Sequence, residues 1–111
     1  MTNQQRKALQ QFKTNMRRIA TAVSNNLIGL KSVAAGETDP QARAAYQTAI
    51  KMTPALVTEC RALAAEVEID LRNDRLREGD AWQSLLNRSR LVSFKFAALH
   101  EELYGEHSDA S

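Results

Sequence analysis

Apolar residues recur at steps of three and four along three long stretches of the chain, the period of an amphipathic helix and not the alternation of a strand. In the first stretch Leu9, Phe12, Met16, Ile19, Val23, Leu30 and Val33 hold this spacing, with Asn26 in the missing place and Leu27 beside it. The run closes in Ala34-Ala35-Gly36, where glycine can take the left-handed conformation that ends a helix. A helix is predicted over residues 4–35.

A second start follows at Asp39-Pro40. Aspartate accepts a hydrogen bond from the free N–H groups of a first turn, and proline is tolerated there because its missing donor is not needed. The seam beyond it reads Tyr46, Ala49, Thr53, Leu56, Cys60, Leu63, Val67 and Leu71, among alanines that favour helix and close approach. Pro54 removes the hydrogen bond to the Ile50 carbonyl and crowds that turn. Because the pattern runs through it without a loop, a kink is predicted at Pro54; the alternative is that Thr53-Pro54 caps a separate helix, making four in all.

At Glu78-Gly79-Asp80 a stop meets a start, since glycine suits the position past a helix end and Asp80 with Gln83 has the spacing of a capping box. The third seam, Trp82, Leu85, Ser89, Val92, Phe96, Leu99 and Leu103, predicts a helix over residues 81–104. The polar seam residues Asn26, Thr53 and Ser89 either fix register, as a buried asparagine does in coiled coils, or are tolerated near a helix end or the kink.

Short connections make successive helices antiparallel. The expected fold is therefore all-α, an antiparallel bundle of three long amphipathic helices in a single domain of residues 1–105, the second helix being the longest, with residues 106–111 a flexible polar tail. A chain of 111 residues can bury one core but not two. Its 43% hydrophobic and 25% charged residues argue against disordered and fibrous classes. No run of about 18 apolar residues exists, and the start Met1-Thr2-Asn3-Gln4-Gln5 lacks the apolar core of a signal peptide, so a cytoplasmic protein without a membrane span is expected. Cys60, the only cysteine, falls on the seam as a small core residue.

Charge changes the picture more than composition does. The net charge of +2 conceals a first segment, residues 1–36, with six basic residues (Arg6, Lys7, Lys13, Arg17, Arg18 and Lys31) and no Asp or Glu. Residues 37–80 carry nine acids against six bases, and residues 81–111 four acids against three bases. Such asymmetry speaks to partners and not to fold.

Two surfaces follow as candidates. The outward face of the first helix presents Gln4, Lys7, Gln11, Thr14, Arg18, Thr21 and Asn25, flanked by Arg6, Lys13 and Arg17. Lys and Arg neutralise phosphates, and Asn and Gln read base edges, so nucleic acid is a chemically suitable ligand for this face. The competing explanation is that its charge complements the acidic group Glu66, Glu68, Asp70 and Asp74 within the same chain. No aromatic residue stands on that face to stack bases. The second candidate is apolar: Leu91, Phe94 and Ala98 lie opposite the third seam, and Ile28 points away from the first. Such residues either mark a protein interface, with Phe94 as its anchor, or widen the core stripe.

Catalytic signatures are weak. His100-Glu101-Glu102-Leu103-Tyr104 starts like a zinc helix motif, but Tyr104 stands where a second histidine is required. The four glycines at 29, 36, 79 and 105 are scattered, so no glycine-rich phosphate loop exists. Neither a catalytic residue, a metal ligand set nor a cofactor is expected, and the chain does not read as an enzyme. The expected function is a small helical protein-protein interaction module, an adaptor, assembly factor or inhibitor, acting as a homo-oligomer through Ile28, Leu91, Phe94 and Ala98. The alternative is a nucleic-acid-binding protein using Arg6, Lys7, Gln11, Lys13, Arg17 and Arg18.

Overall fold

A computed structural model describes residues 1–104, with side chains through residue 101. The expected tail at 106–111 lies outside the described residues, as does the side chain of Leu103. Three helices make the fold: α1 (Asn3–Gly36), α2 (Pro40–Arg72) and α3 (Gly79–Tyr104). The arrangement measures 54 × 26 × 20 Å. Its long dimension is that of α1 itself, since 34 residues at about 1.5 Å each give a rod of about 51 Å.

Each helix starts for a local reason. Thr2 and Gln5 form a reciprocal capping box at the head of α1: Gln5 N–H donates to Thr2 Oγ1 at 3.1 Å, and Thr2 N–H donates to Gln5 Oε1 at 2.8 Å. This pair starts α1 one residue before the periodicity predicts. At the other end Gly36 stays helical and Glu37 turns extended, so the left-handed glycine expected there is not used. Glu37 Oε1 accepts from the Thr38 and Asp39 N–H groups, and Asp39 caps α2 with Pro40 in its first turn, as the sequence predicts.

α2 passes through Pro54 as one unbroken helix, which excludes the four-helix alternative. Pro54 is exposed, so its ring crowds the solvent side, where long helices are convex in any case. The end of α2 falls at Arg72 and not near Glu78, leaving it one residue shorter than α1 and the connection longer than predicted. The cause is Asp74, which takes a left-handed φ of 49°. Asp74 N–H then donates to the Leu71 carbonyl and Arg75 N–H to the Asp70 carbonyl, the pair of bonds that closes a Schellman end. Aspartate is among the few residues that tolerate this conformation without being glycine. Gly79, at φ 57°, is the first residue of α3, so Asp80 sits within the first turn and not ahead of it.

α2 is the shared helix. Its seam residues Ala49, Thr53, Leu56, Cys60, Leu63, Val67 and Leu71 are all buried, together with Val57 and Ala64. α1 covers it with Leu9, Met16, Ala20, Val23 and Ala34. α3 reaches it along a narrower line, Leu85, Val92 and Leu99, one residue per two turns. α1 and α3 each pack on α2 and scarcely approach one another.

Several seam residues of the sequence pattern therefore lie at the margin. Val33 is 52% exposed and Trp82 and Phe96 are each 36% exposed, because no third interface closes over them. Asn26 is exposed, while Leu27 turns inward. Thr53 is buried but donates to the Ala49 carbonyl at 2.9 Å, and Ser89 donates to the Leu86 carbonyl at 2.8 Å. Both are satisfied within their own helices and set no register between helices. Among the described residues no helix is long and apolar enough to cross a membrane.

Burial raises the Cys60 thiol above its ordinary range, with Glu59 adding to the effect, and Cys60 has no exposed area. Native Cys60 is expected to resist alkylation until the core opens. Leu63→Ala, at the centre of the same core, is expected to cost about 3 kcal/mol in denaturant unfolding and to speed Cys60 labelling in proportion.

Candidate interaction surfaces

The charge asymmetry resolves into two sets of ion pairs on the two flanks of α2. Toward α1, Lys13 Nζ pairs with Glu68, which also holds Arg72 at 3.3 Å. Arg6 closes the α2 end, with Nη2 2.7 Å from Asp74 Oδ1 and Nη1 donating to the Leu71 carbonyl. Toward α3, Arg88 bridges Glu59 and Glu66 at 2.7 Å each, and Arg77 bridges Glu66 and Asp70 at 3.3 and 2.7 Å. The acidic group expected to face α1 is thus divided: Glu68 and Asp74 serve α1, whereas Glu66 and Asp70 serve arginines from the α3 side. Asp70 is 4% exposed, so Arg77 is the counter-charge that makes its burial tolerable.

Two of the five basic candidates, Arg6 and Lys13, are therefore spent inside the fold. Gln11 donates to Asn15 on its own helix. Lys7, Arg17 and Arg18 are exposed and form no ion pair among the described residues. They surround no enclosed site; Thr14, Arg17, Arg18, Thr21 and Ala22 line only a shallow dish.

The apolar candidates are on the surface, but they do not form one patch. Phe94 is 71% exposed, Leu91 51% and Ile28 79%; Ala98 is half-buried. Leu91, Phe94 and Ala98 stand at i, i+3 and i+7 and make one ridge on α3. Ile28 lies on the flank of α1 that carries Arg17 and Thr21, away from that ridge.

A third surface is more enclosed than either. Between the first part of α1 and the start of α3 runs a groove of about 570 Å³, walled by Ala8, Leu9 and Phe12 on one side and Leu76, Trp82, Leu85 and Leu86 on the other. Arg77 and Glu78 stand at its end. The groove exists because both walls are tied to α2 and neither is tied to the other. On the α1 side its rim is neutral. At about 100° per residue, Gln4, Ala8, Gln11, Asn15, Ala22 and Asn26 share one half of the helix circumference with Phe12, and all six basic residues of α1 occupy the other half. Seam spacing alone does not disclose the groove, because it marks Phe12 and Trp82 as ordinary core. The signal that does is the charge-free half of α1, which extends beyond the stripe that packs on α2.

Among the described residues no buried side-chain nitrogen or oxygen lacks a partner. No family model matches the chain, and no curated protein and no solved structure matches it.

Two outcomes follow from the ion pairs. Arg77→Ala, which strands the buried Asp70, is expected to cost about 3 kcal/mol by denaturant unfolding, whereas Arg17→Ala is expected to cost no more than about 0.5 kcal/mol. The Glu68 carboxyl sits below its usual 4.5, first through the Lys13 hydrogen bond, with the charges of Lys13, Arg72 and Arg17 in the same direction. A lowered carboxyl stabilises the fold above its unfolded pKa, and that contribution disappears as pH falls through the folded value. Lys13→Met should therefore move the Glu68 midpoint up toward 4.5 in an NMR titration and lessen the loss of stability on acidification below about pH 4.5.

Proposed function

We propose that this chain is a helical protein-interaction module that receives an uncharged, apolar helix face of another polypeptide in the groove between α1 and α3, in the manner of an adaptor, assembly factor or inhibitor. The observation that supports this reading is the unclosed α1–α3 interface with its apolar walls and charge-free α1 rim. Depletion of charge around an apolar centre is the mark of interface cores. A cleft between two helices, lined by aromatic and aliphatic side chains, suits helix-in-groove docking, in which anchors at i, i+3, i+4 and i+7 enter the cleft. An occupant would also complete the helical packing that α3 lacks, since α3 buries only Leu85, Val92 and Leu99 of its described residues.

A second reading, nucleic-acid binding by α1, is favoured by the exposure of Lys7, Arg17 and Arg18. It is the weaker of the two, because Arg6 and Lys13 are engaged within the chain and three cations on one helix supply only a non-specific, salt-sensitive attraction.

The test uses the immobilised chain challenged with a nuclease-treated lysate of cells that express an epitope-tagged copy of it, so that self and foreign proteins are both scored. Protein retained by the wild-type chain and by Arg17→Glu/Arg18→Glu, and lost from Ala8→Glu, is expected. Ala8 is exposed and helical, so a glutamate there charges the groove without disturbing the core. Retention of no protein, or retention lost with the arginines and unaffected by Ala8→Glu, contradicts the reading.

A further inference from the structure

We infer that the helix face received by the groove belongs to a second copy of this chain, and is the ridge Leu91, Phe94 and Ala98 of its α3. The inference rests on the groove reading above. An occupant needs an uncovered apolar ridge with helical spacing, a large anchor and no charge along its crest. The chain carries such a ridge on its own surface. Leu91, Phe94 and Ala98 are spaced by three and four residues, and Phe94, 71% exposed, is the largest side chain left so open among the described residues. The other exposed apolar residues form no such ridge: Ile28 and Val33 stand apart on α1, Ile69 is on α2, and Trp82 and Phe96, each 36% exposed, belong to the α3 seam. Single exposed aliphatics are ordinary, whereas an aromatic flanked by aliphatics at helical spacing is an interface anchor.

Charge agrees with this pairing. The ridge is bordered along its sides by Arg90 and Lys95, both exposed, with the acidic Glu101 beyond Ala98 at its far end. At the mouth of the groove stands Glu78, also exposed, whereas Arg77 beside it is already committed inward to Glu66 and Asp70. A cationic border on the ridge thus meets an anionic end of the groove, and the neutral α1 rim offers no repulsion.

Ridge and groove are different faces of one molecule, so the contact is heterologous. Each added copy brings one new ridge and one new groove, and assembly proceeds to a ring or a chain unless two copies satisfy each other reciprocally. This property supplies a test that an ordinary dimer interface fails. Phe94→Glu removes the ridge and keeps the groove; Ala8→Glu blocks the groove and keeps the ridge. Both positions are exposed helical surface, so circular dichroism and the unfolding midpoint serve as the check that each variant is folded.

In sedimentation velocity over a concentration series the wild-type chain is expected to self-associate, and each variant alone to associate at least about tenfold more weakly, the cost of burying one unpaired charge. An equimolar mixture of the two variants is expected to recover one good contact and stop at a heterodimer. A mixture that stays monomeric while the wild type associates overturns the proposal, as does association of Phe94→Glu at wild-type strength, which would place groove against groove. A wild-type chain monomeric throughout the series also overturns it. In that last case the groove reading stands or falls separately, on whether a foreign protein is retained from lysate by the wild-type chain and lost with Ala8→Glu.

Discussion

Everything in this fold hangs on α2 being the one helix that both others touch. Its apolar seam from Ala49 to Leu71 is buried, and its acids are distributed to either side, Glu68 toward α1 and Glu59, Glu66 and Asp70 toward α3. Each flank therefore has its own basic partners, Arg6 and Lys13 on one side and Arg77 and Arg88 on the other. A helix held by ion pairs along the outer margin of its contact is fixed in rotation as well as in position. α1 and α3 are thereby held in place against α2 but not against each other, and the open groove is the geometric remainder.

The energetic division between the two interfaces follows. α1 buries Leu9, Met16, Ala20 and Val23 in the core shared with α2, with Phe12, Ile19 and Leu30 partly covered beside them. α3 has a single line of buried residues and a network in which two arginines serve three carboxylates. Ion pairs of this kind contribute more to placement than to net stability, because desolvation offsets most of the Coulombic gain. α3 is thus the element whose seating an occupant of the groove would most strengthen, through the linkage by which anything bound only to the folded form stabilises it.

Much of this is legible in the residues themselves. Periodicity places the three helices, Asp39-Pro40 places the start of α2, and the α2 seam is buried from Ala49 to Leu71, with Tyr46 at its head only half-buried. The misplacements share a cause. Asp74 ends α2 by adopting a conformation most common in glycine, whereas the residue pattern points to Gly79 for the break. Val33, Trp82 and Phe96 carry the spacing of core residues, but spacing records only which face of a helix they occupy and not whether a neighbour arrives there. The division of Glu66 and Asp70 from Glu68 likewise depends on the rotation of α2 between two partners, a relation between helices that no single helix encodes. The groove was hidden for the same reason: it is made by a contact that does not form.

The claim beneath all of these is that α1 and α3 stay apart. Trp82 is the only tryptophan and stands on the groove wall, which makes its fluorescence the direct reporter. Acrylamide quenching of the Phe94→Glu chain, dilute enough to be monomeric, is the decisive measurement. Ready quenching of a partly exposed indole is the outcome expected here; an indole shielded from acrylamide in the monomer would mean that α1 closes on α3 and that no groove exists.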